Sequence, residues 1–262
     1  MQAIGDAGLS PSKRVGLKEQ IEVICPLEIE GSRLAFSVGS RTELGRVAKI
    51  KEPWTVDWIR ALPKGAVLWD VGANIGVFAL LAAEGGASAV VALEPAYLNY
   101  ASLVRNLLHN GLQAKVLALP VGLGAATAAL NLNLESLDAG GGLHSFGPLV
   151  QIKGRSTDPI ATCGCLCYRA DDLVRMEGVP FPTHFKIDVD GFELETLQGA
   201  AQVLEDPRVQ GLQVEVVDYD LQDRPRRAAI VTLLAAAGFK LEQTFDHSEG
   251  PPMVTDLQFR RA

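Results

Sequence analysis

Short apolar runs alternate with amphipathic stretches along most of this chain, which is the pattern of strands that alternate with helices. The run at residues 66–71 ends in a carboxylate and a glycine-containing turn, and residues 77–83 continue as a helix. Further runs that predict core strands lie at residues 89–93, 114–121, 185–188 and 211–217, with a closing antiparallel pair at residues 239–245 and 256–260. The pattern therefore predicts an α/β protein with a mostly parallel sheet.

Residues 1–62 are predicted to be an N-terminal extension that packs on a main domain at residues 63–262. Its predicted elements are a mobile tail at residues 1–18, a β-hairpin formed by residues 21–30 and 33–38, and a helix at residues 42–62. We expect the hairpin to cover an edge of the sheet. In the main domain, the helical spacing of Tyr97, Tyr100, Leu107 and Leu108 predicts that these side chains face the core.

The turn after the first strand reads Asp70-Val71-Gly72-Ala73-Asn74-Ile75-Gly76. Glycine permits a sharp turn and a close approach of a ligand, and free N–H groups at a helix start favour an anionic group. The spacing differs from the G-x-G-x-x-G pattern of dinucleotide sites. It favours S-adenosylmethionine as the ligand and keeps a nicotinamide-dependent oxidoreductase as the alternative.

An acidic residue, Glu94, follows the second strand and precedes Pro95. The carboxyl ends of parallel strands meet at one edge of the sheet, so Glu94 is expected beside Gly72. A carboxylate there accepts hydrogen bonds from both hydroxyls of a ribose. The segment at residues 119–122 offers no acidic or amide side chain, so we expect main-chain groups and apolar contacts to hold the adenine.

The second half of the chain adds the sequence FKIDVDGFELETLQGA at residues 185–200, preceded by ADDL at residues 170–173. With the glycine turn and the Glu94-Pro95 pair, these motifs resemble the FkbM family of S-adenosylmethionine-dependent methyltransferases from about Glu52 to Phe239. The resemblance implies a Rossmann-like class I methyltransferase sheet and O-methylation of a hydroxyl on a sugar, polyketide or similar small molecule. N-methylation and a non-catalytic binding domain stay open. The family usually has Glu at the position of Asp190, so a contact of this side chain is expected to differ.

The predicted cofactor-binding residues lie in or near these motifs. They are Asp70, Gly72, Asn74, Gly76, Glu94, Pro95, Asp188 and, from the resemblance, Glu52. For Glu52, a solvated charge on a helix is the alternative interpretation.

Transfer of a methyl group to an alcohol also requires that the hydroxyl lose its proton. The candidate bases are Asp188 and His144, the latter in a glycine-rich segment at residues 138–145 that is predicted to be flexible. A Mg²⁺ ion bound by Asp188 and Glu215 is an alternative way to acidify the hydroxyl. A structural role is also open, in which Asp188 fixes the cofactor or the following turn and Glu215 pairs with Lys186.

Composition adds limits on partners and compartment. The 262 residues carry a net charge of −7, which gives no electrostatic footprint for nucleic acid or an anionic membrane. No secretion signal or membrane span is predicted. Cys163, Cys165 and Cys167 alternate as on one face of a strand and are expected to be reduced, which favours a cytoplasmic enzyme. The expected partner is a small-molecule or carbohydrate acceptor, and a homo-oligomer is compatible with the sequence.

Overall fold

The elements follow the predicted alternation of strands and helices. The computed structural model describes residues 10, 12–13, 16, 23–29, 31–50, 52–146, 158–218, 224–247 and 253–262, so most of the predicted mobile tail lies outside the described residues. The strands are β1 (Ile24–Ile29), β2 (Ser32–Ser37), β3 (Val67–Val71), β4 (Ala89–Leu93), β5 (Val116–Leu119), β6 (Gly122–Leu123), β7 (Ala128–Leu134), β8 (Ser145–Phe146), β9 (Ala161–Tyr168), β10 (His184–Ile187), β11 (Gly211–Asp218), β12 (Phe239–Asp246) and β13 (Met253–Arg261). The helices are α1 (Arg41–Ala48), α2 (Pro53–Arg60), α3 (Val77–Glu84), α4 (Tyr97–His109), α5 (Ala170–Leu173), α6 (Glu193–Gln198), α7 (Ala201–Glu205) and α8 (Arg224–Ala236).

The main sheet has seven strands in the order β12-β13-β11-β10-β3-β4-β5. The five strands from β11 to β5 are parallel, and β13 pairs antiparallel with both β11 and β12. This confirms the predicted sheet and its closing hairpin. The chain runs from β3 outward to β5 and then returns to the other side of β3 at β10. A ligand is expected beyond the carboxyl ends of β3 and β10, because the strand order reverses between them.

A second sheet lies beside this edge and has the strand order β6-β9-β7-β8. Its strand β7 includes residues 130–134, where strict alternation of leucine and asparagine predicts a strand. The three cysteines lie on one face of β9, as predicted, and all three thiols are free. Burial raises the pKa of the Cys167 thiol to about 11, so it is protonated at neutral pH.

The N-terminal hairpin β1–β2 packs on a helix and not on a sheet edge as predicted. The side chains of Asn106 in α4 and of Asn110, which follows this helix, accept hydrogen bonds from the Ser37 N–H at 2.9 Å and the Ala35 N–H at 2.8 Å. Amide side chains thus supply hydrogen-bond acceptors for two backbone N–H groups of β2. Buried apolar residues of β2, α2 and α3 also belong to one hydrophobic cluster. The division at residue 63 stays a prediction.

The single helix predicted at residues 42–62 is wrong, because two helices, α1 and α2, occupy this stretch. Pro53 stands in the first turn of α2. Proline lacks an N–H donor and disfavours helical geometry at the residue before it, so a helix cannot run through this point without distortion. The break makes Glu52 the residue that precedes α2 and turns it towards the ligand edge of the sheet.

The predicted core face of α4 is confirmed for Leu107, which is buried, and for Tyr100, which packs against the same hydrophobic cluster, but it is wrong for Tyr97 and Leu108. Tyr97 is 53% exposed and Leu108 is 61% exposed, whereas the buried residues include Asn99, Ser102 and Asn106. The buried face carries these polar residues beside Leu103 and Leu107, because each polar side chain forms hydrogen bonds to a neighbouring element.

No membrane-spanning helix occurs in the described part of the chain. Its longest helices, α4 and α8, have 13 residues each, whereas about 20 apolar residues are needed to cross a bilayer.

Candidate functional site

Two clefts open at the carboxyl ends of the parallel strands. The first has a volume of about 790 Å³ and lies between the main sheet and the second sheet. The second has a volume of about 1080 Å³ and lies between the glycine turn and α1. The residues that line both clefts are Arg46, Glu52, Gly72, Asn74 and Asp188. The clefts therefore meet at a boundary made of a basic residue, two acidic residues and the turn.

Most of the predicted site residues lie at this place. Glu94, Pro95, His144 and Glu215 line the first cleft, in addition to the shared Glu52, Gly72, Asn74 and Asp188. Gly76 lines neither of the two clefts.

The backbone conformation and the close packing of the turn both require glycine at its two glycine positions. Gly72 has φ +84° and Gly76 has φ +91°, a left-handed conformation that L side chains rarely adopt. A Cβ on Gly72 would overlap the backbone carbonyl oxygen of Asp188, and one on Gly76 would overlap the Leu103 side chain. The sharp turn predicted from these glycines is therefore confirmed, and close packing against protein atoms also requires them. Their role in the approach of a ligand stays a prediction.

Glu94 braces the glycine turn from within the first cleft. Its two carboxylate oxygens accept hydrogen bonds from the Asn74 N–H at 2.7 Å and the Ala96 N–H at 2.8 Å. The side chain is only 5% exposed, and burial raises its pKa to about 7. Each oxygen retains a lone pair that can accept a further hydrogen bond from a ligand.

Asp70 does not take part in either cleft, contrary to the prediction. It is fully buried, and neither carboxylate oxygen has a hydrogen-bond partner among the described residues. Side chains alternate along a strand, so Asp70 points to the opposite face from Val71, which does line the first cleft. Burial raises the pKa of Asp70 to about 6, and the positive charge of Lys186 opposes this shift.

A buried ion pair occupies the end of β10. The Lys186 ammonium lies 2.9 Å from a carboxylate oxygen of Asp188, and only 3% of the Lys186 side chain is exposed. Lys186 is the register partner of Asp70 on β3. Burial alone would raise the pKa of Asp188, but Lys186 holds it below its usual range. Asp188 is therefore ionised at neutral pH.

Two further carboxylates surround Asp188. Glu52, Asp188 and Glu215 each offer an oxygen, and these oxygens lie within 4.8 Å of one another. Burial and the neighbouring negative charges raise the pKa of Glu215 well above its usual range. Burial likewise raises the pKa of Glu52. The cluster therefore combines an ionised Asp188 with two carboxyl groups whose pKa values are raised.

His144 lines the first cleft in a tautomer that opposes its predicted role as a base. Its Nδ1 atom accepts a hydrogen bond of 3.3 Å from the Glu135 N–H. We therefore assign the proton of the neutral ring to Nε2, which makes Nε2 a donor. Burial and the charge of Arg46 lower the pKa of His144 to about 4, so the ring is neutral at physiological pH.

The segment at residues 138–145 is tied down rather than free. The Gly140 carbonyl accepts a hydrogen bond from Arg46 Nε at 3.1 Å, and the Gly140 N–H donates to Asn99 Oδ1 at 2.8 Å. The Gly141 carbonyl accepts from Asn74 Nδ2 at 2.9 Å and from Asn99 Nδ2 at 3.0 Å. The prediction of a flexible loop is wrong because amide and guanidinium side chains bind its backbone.

Asp190, the residue that departs from the usual family pattern, also binds this segment. Its Oδ2 atom accepts a hydrogen bond of 2.6 Å from the Leu143 N–H. Both residues have positive φ, +50° for Asp190 and +61° for Leu143. The short Asp side chain is thus used to join the turn after β10 to the segment above the cleft.

Three residues near the site were missed by the sequence reasoning. Arg46 lies on α1, in the extension, and no spacing pattern marks it. Asp256 is the register partner of Glu215 on β13, and correct pairing of these strands would have brought the two carboxylates together. His247 Nε2 lies 2.7 Å from Asp256 Oδ2 and 3.9 Å from Glu215 Oε2. Burial lowers the pKa of His247, but the hydrogen bond and the negative charge of Asp256 outweigh it and raise the pKa.

Comparison with known proteins gives a family match and similar relatives. A family model described as "Methyltransferase FkbM domain" matches residues 70–241. Hexuronic acid methyltransferase AglP from Haloferax volcanii is 29% identical over 185 residues, which are 68% of this chain and 69% of that protein. Methyltransferase sdnD from Sordaria araneosa is 29% identical over 249 residues, 87% of this chain and 93% of that protein. The crystal structure of Trm5b from Pyrococcus abyssi superposes with a TM-score of 0.50 at 12% identity, over 91% of this chain and 63% of that one, which is a likeness of fold.

Proposed function

Because the chain belongs to the FkbM methyltransferase family and its methyl donor is S-adenosylmethionine, we propose that it methylates a hydroxyl group of a sugar or another small molecule. The observation that supports this assignment is the meeting of two clefts at Asp188 and Glu52. One cleft is assigned to the donor and the other to the acceptor, so that the methyl group crosses their boundary. The relative named hexuronic acid methyltransferase supports a sugar as the acceptor.

The first cleft fits the donor in its chemistry. The glycine turn would hold the amino-acid end, and Glu94 would accept hydrogen bonds from the ribose hydroxyls. Apolar side chains that would contact the adenine are Leu93, Leu123, Leu132, Phe146 and Phe192. When bound, S-adenosylmethionine supplies a methyl group that is already activated, so the residues of this chain need only align the acceptor and remove its proton.

Asp188 is the residue that we assign as proton acceptor for the hydroxyl. It lines both clefts, and its pKa, held low by Lys186, keeps it ionised. Glu215 lies beside it, and burial and the charge of Asp188 raise its pKa. His144 presents an N–H to the first cleft and is assigned to hydrogen bonding rather than to proton removal.

Ligand-induced stabilisation tests the cofactor assignment. S-adenosylmethionine and S-adenosylhomocysteine should raise the melting temperature, because a ligand that binds only the folded state adds about 2.7 kcal/mol at a hundredfold excess over Kd. NAD should not, since the family assignment decides against the oxidoreductase alternative. Formation of S-adenosylhomocysteine with sugar acceptors, followed by mass analysis of the product, separates O-methylation from N-methylation and from a binding domain without turnover.

The Glu94→Gln variant should bind S-adenosylhomocysteine about tenfold or more weakly, because charge-assisted hydrogen bonds to the ribose are lost. The wild-type affinity should rise between pH 6 and pH 8. Ribose hydroxyls donate to the ionised carboxylate, and the pKa of Glu94 is raised to about 7, so deprotonation through this range favours binding. Calorimetry at several pH values measures both effects.

The matched control is Glu177→Gln, which removes an exposed glutamate far from the glycine turn in sequence. It should leave the affinity and its pH profile unchanged. A folded Glu94→Gln variant with wild-type affinity and pH profile would show that Glu94 only braces the turn.

Mg²⁺ bound by Glu52, Asp188 and Glu215 is the alternative route to activation. Carboxylate oxygens are the ligands that Mg²⁺ prefers, and these three lie close together. Lys186 already supplies a positive charge to Asp188, so we expect full turnover after chelation with EDTA. Loss of turnover that returns when Mg²⁺ is added back would instead support the metal.

A further inference from the structure

The second cleft has one basic wall, formed by one side of helix α1. Arg41, Thr42, Gly45 and Arg46 of this helix line the cleft, and Lys49, which directly follows the helix, extends the wall. Thr42, Gly45 and Arg46 stand one, four and five positions after Arg41, which places the four residues on one side of the helix. The opposite face carries the buried Glu43 and Val47.

The charges at the two ends of this wall have no partner among the described residues. Arg41 and Lys49 are exposed, and neither forms a hydrogen bond or an ion pair with another described residue. Arg46 is held differently, because its Nε atom donates to the Gly140 carbonyl. Gly45 lies between the two ends, and no atom occupies the space where its Cβ would stand. Among the described residues, nothing therefore covers the middle of the wall at Gly45 or pairs with the charges at its two ends.

The balance of charge in the cleft is positive although the chain is acidic. The ionisable lining residues are Arg41, Arg46, Lys49, Lys186, Glu52 and Asp188. Lys186 and Asp188 neutralise each other at 2.9 Å, and Glu52 offsets one of the remaining three cations. The whole chain has a net charge of −7, so this positive cleft is a local exception that attracts anions.

The other wall of the cleft is apolar and comes from the turn and the start of α3. It is formed by Ile75, Val77 and Phe78. A sugar ring has apolar C–H faces and polar edges, so this wall suits the ring. The basic wall offers more positive charge than neutral hydroxyl groups require.

We infer that the acceptor carries an anionic group, a carboxylate or a phosphate, which binds to the basic face of α1 while the hydroxyl to be methylated lies at Asp188. This inference rests on the proposed function, because it assumes that the second cleft holds the acceptor. Arg41 and Lys49 determine which acceptors bind. They lie outside the donor cleft and take no part in proton removal.

Binding of three sugar probes to protein saturated with S-adenosylhomocysteine tests the inference. The probes are glucuronate, glucose 6-phosphate and glucose, which share a ring and differ in charge. At least one anionic probe should bind about tenfold more tightly than glucose, the order expected for two exposed ion pairs. Raising the salt concentration should reduce this preference. Preference for glucuronate alone identifies a carboxylate, and preference for glucose 6-phosphate alone identifies a phosphate.

The variant that tests the residues is the double substitution Arg41→Gln and Lys49→Gln. It should remove the preference for the anionic probe and leave the affinities for glucose and S-adenosylhomocysteine unchanged. The matched control is Lys64→Gln, which removes an exposed lysine before β3, at the other end of the sheet. It should leave all affinities unchanged.

The outcomes separate this inference from the proposed function. Failure of S-adenosylhomocysteine to bind the wild-type protein contradicts the proposed function and, with it, the inference. Normal cofactor binding without any preference for an anionic probe, including no binding of all three probes, overturns the inference alone. An equal loss of preference in the Lys64→Gln control overturns it as well, because the effect is then one of net charge.

Discussion

Replacing Asp188 with Asn should lower turnover by about 10²- to 10⁴-fold, the contribution typical of a positioned general base. Asparagine has nearly the same shape but cannot take up a proton. The substitution also leaves the Lys186 charge without its partner at 2.9 Å, and the Lys186 side chain is only 3% exposed. Removing one member of a buried ion pair destabilises a protein by about 3–5 kcal/mol. The variant is therefore expected to be both inactive and less stable.

A double variant separates these two effects. Lys186→Met combined with Asp188→Asn removes both charges, and a long apolar side chain can replace the lysine stem above the Phe78 ring, where the ammonium now lies 4.8 Å from the ring centre. Asp70 then loses its positive neighbour. It should take up a proton, because its pKa is already raised to about 6 and Lys186 no longer opposes the shift. Stability should largely return while turnover stays low. Recovery of turnover in the double variant would show that Asp188 acts only as the partner of Lys186.

The control for the Asp188 experiment is Asp206→Asn. Asp206 also forms an ion pair, with Arg208 at 2.8 Å, but the arginine side chain is 60% exposed. Exposed ion pairs contribute little to stability, so this variant should keep both its stability and its turnover. Urea denaturation and initial rates of S-adenosylhomocysteine formation measure the two quantities.

Replacing Gly72 with Ala should destabilise the protein by about 2–5 kcal/mol. About 1–2 kcal/mol comes from a left-handed conformation in a residue with a side chain, since φ is +84°. About 1–3 kcal/mol more comes from overpacking, because the new Cβ meets the Asp188 carbonyl oxygen. Cofactor binding should weaken at the same time, since the backbone of Asp188 must move to relieve the overlap.

Gly65→Ala is the matched control for this substitution. Gly65 has φ +87°, but no atom lies within 4 Å of the position of its Cβ. This variant should therefore lose only the conformational part, about 1–2 kcal/mol, and keep its cofactor affinity. Equal destabilisation of the two variants would mean that the turn adjusts without strain and that the contact with Asp188 is unimportant.

The site residues that could be predicted share one property, which is their place at the end of a core strand. Gly72, Glu94 and Asp188 follow β3, β4 and β10, and parallel strands bring such residues to one edge whatever the rest of the chain does. The predictions that were wrong depended on details within an element. Asp70 is one residue from the end of β3, and alternation along the strand turns it into the core.

The amino-acid order was enough to predict the parallel sheet, its closing hairpin, the sharp glycine turn and the family, because these depend on local periodicity and on short motifs. It was not enough for the polar face of α4 or for the ordered segment at residues 138–145, since side chains distant in sequence satisfy their hydrogen bonds. The basic wall of the second cleft could not be predicted either, for the same reason. No motif marks Arg41, Arg46 or Lys49. They line one cleft with Asp188 only because α1 packs beside the glycine turn. Long-range packing, which local pattern does not encode, places these charges in one cleft.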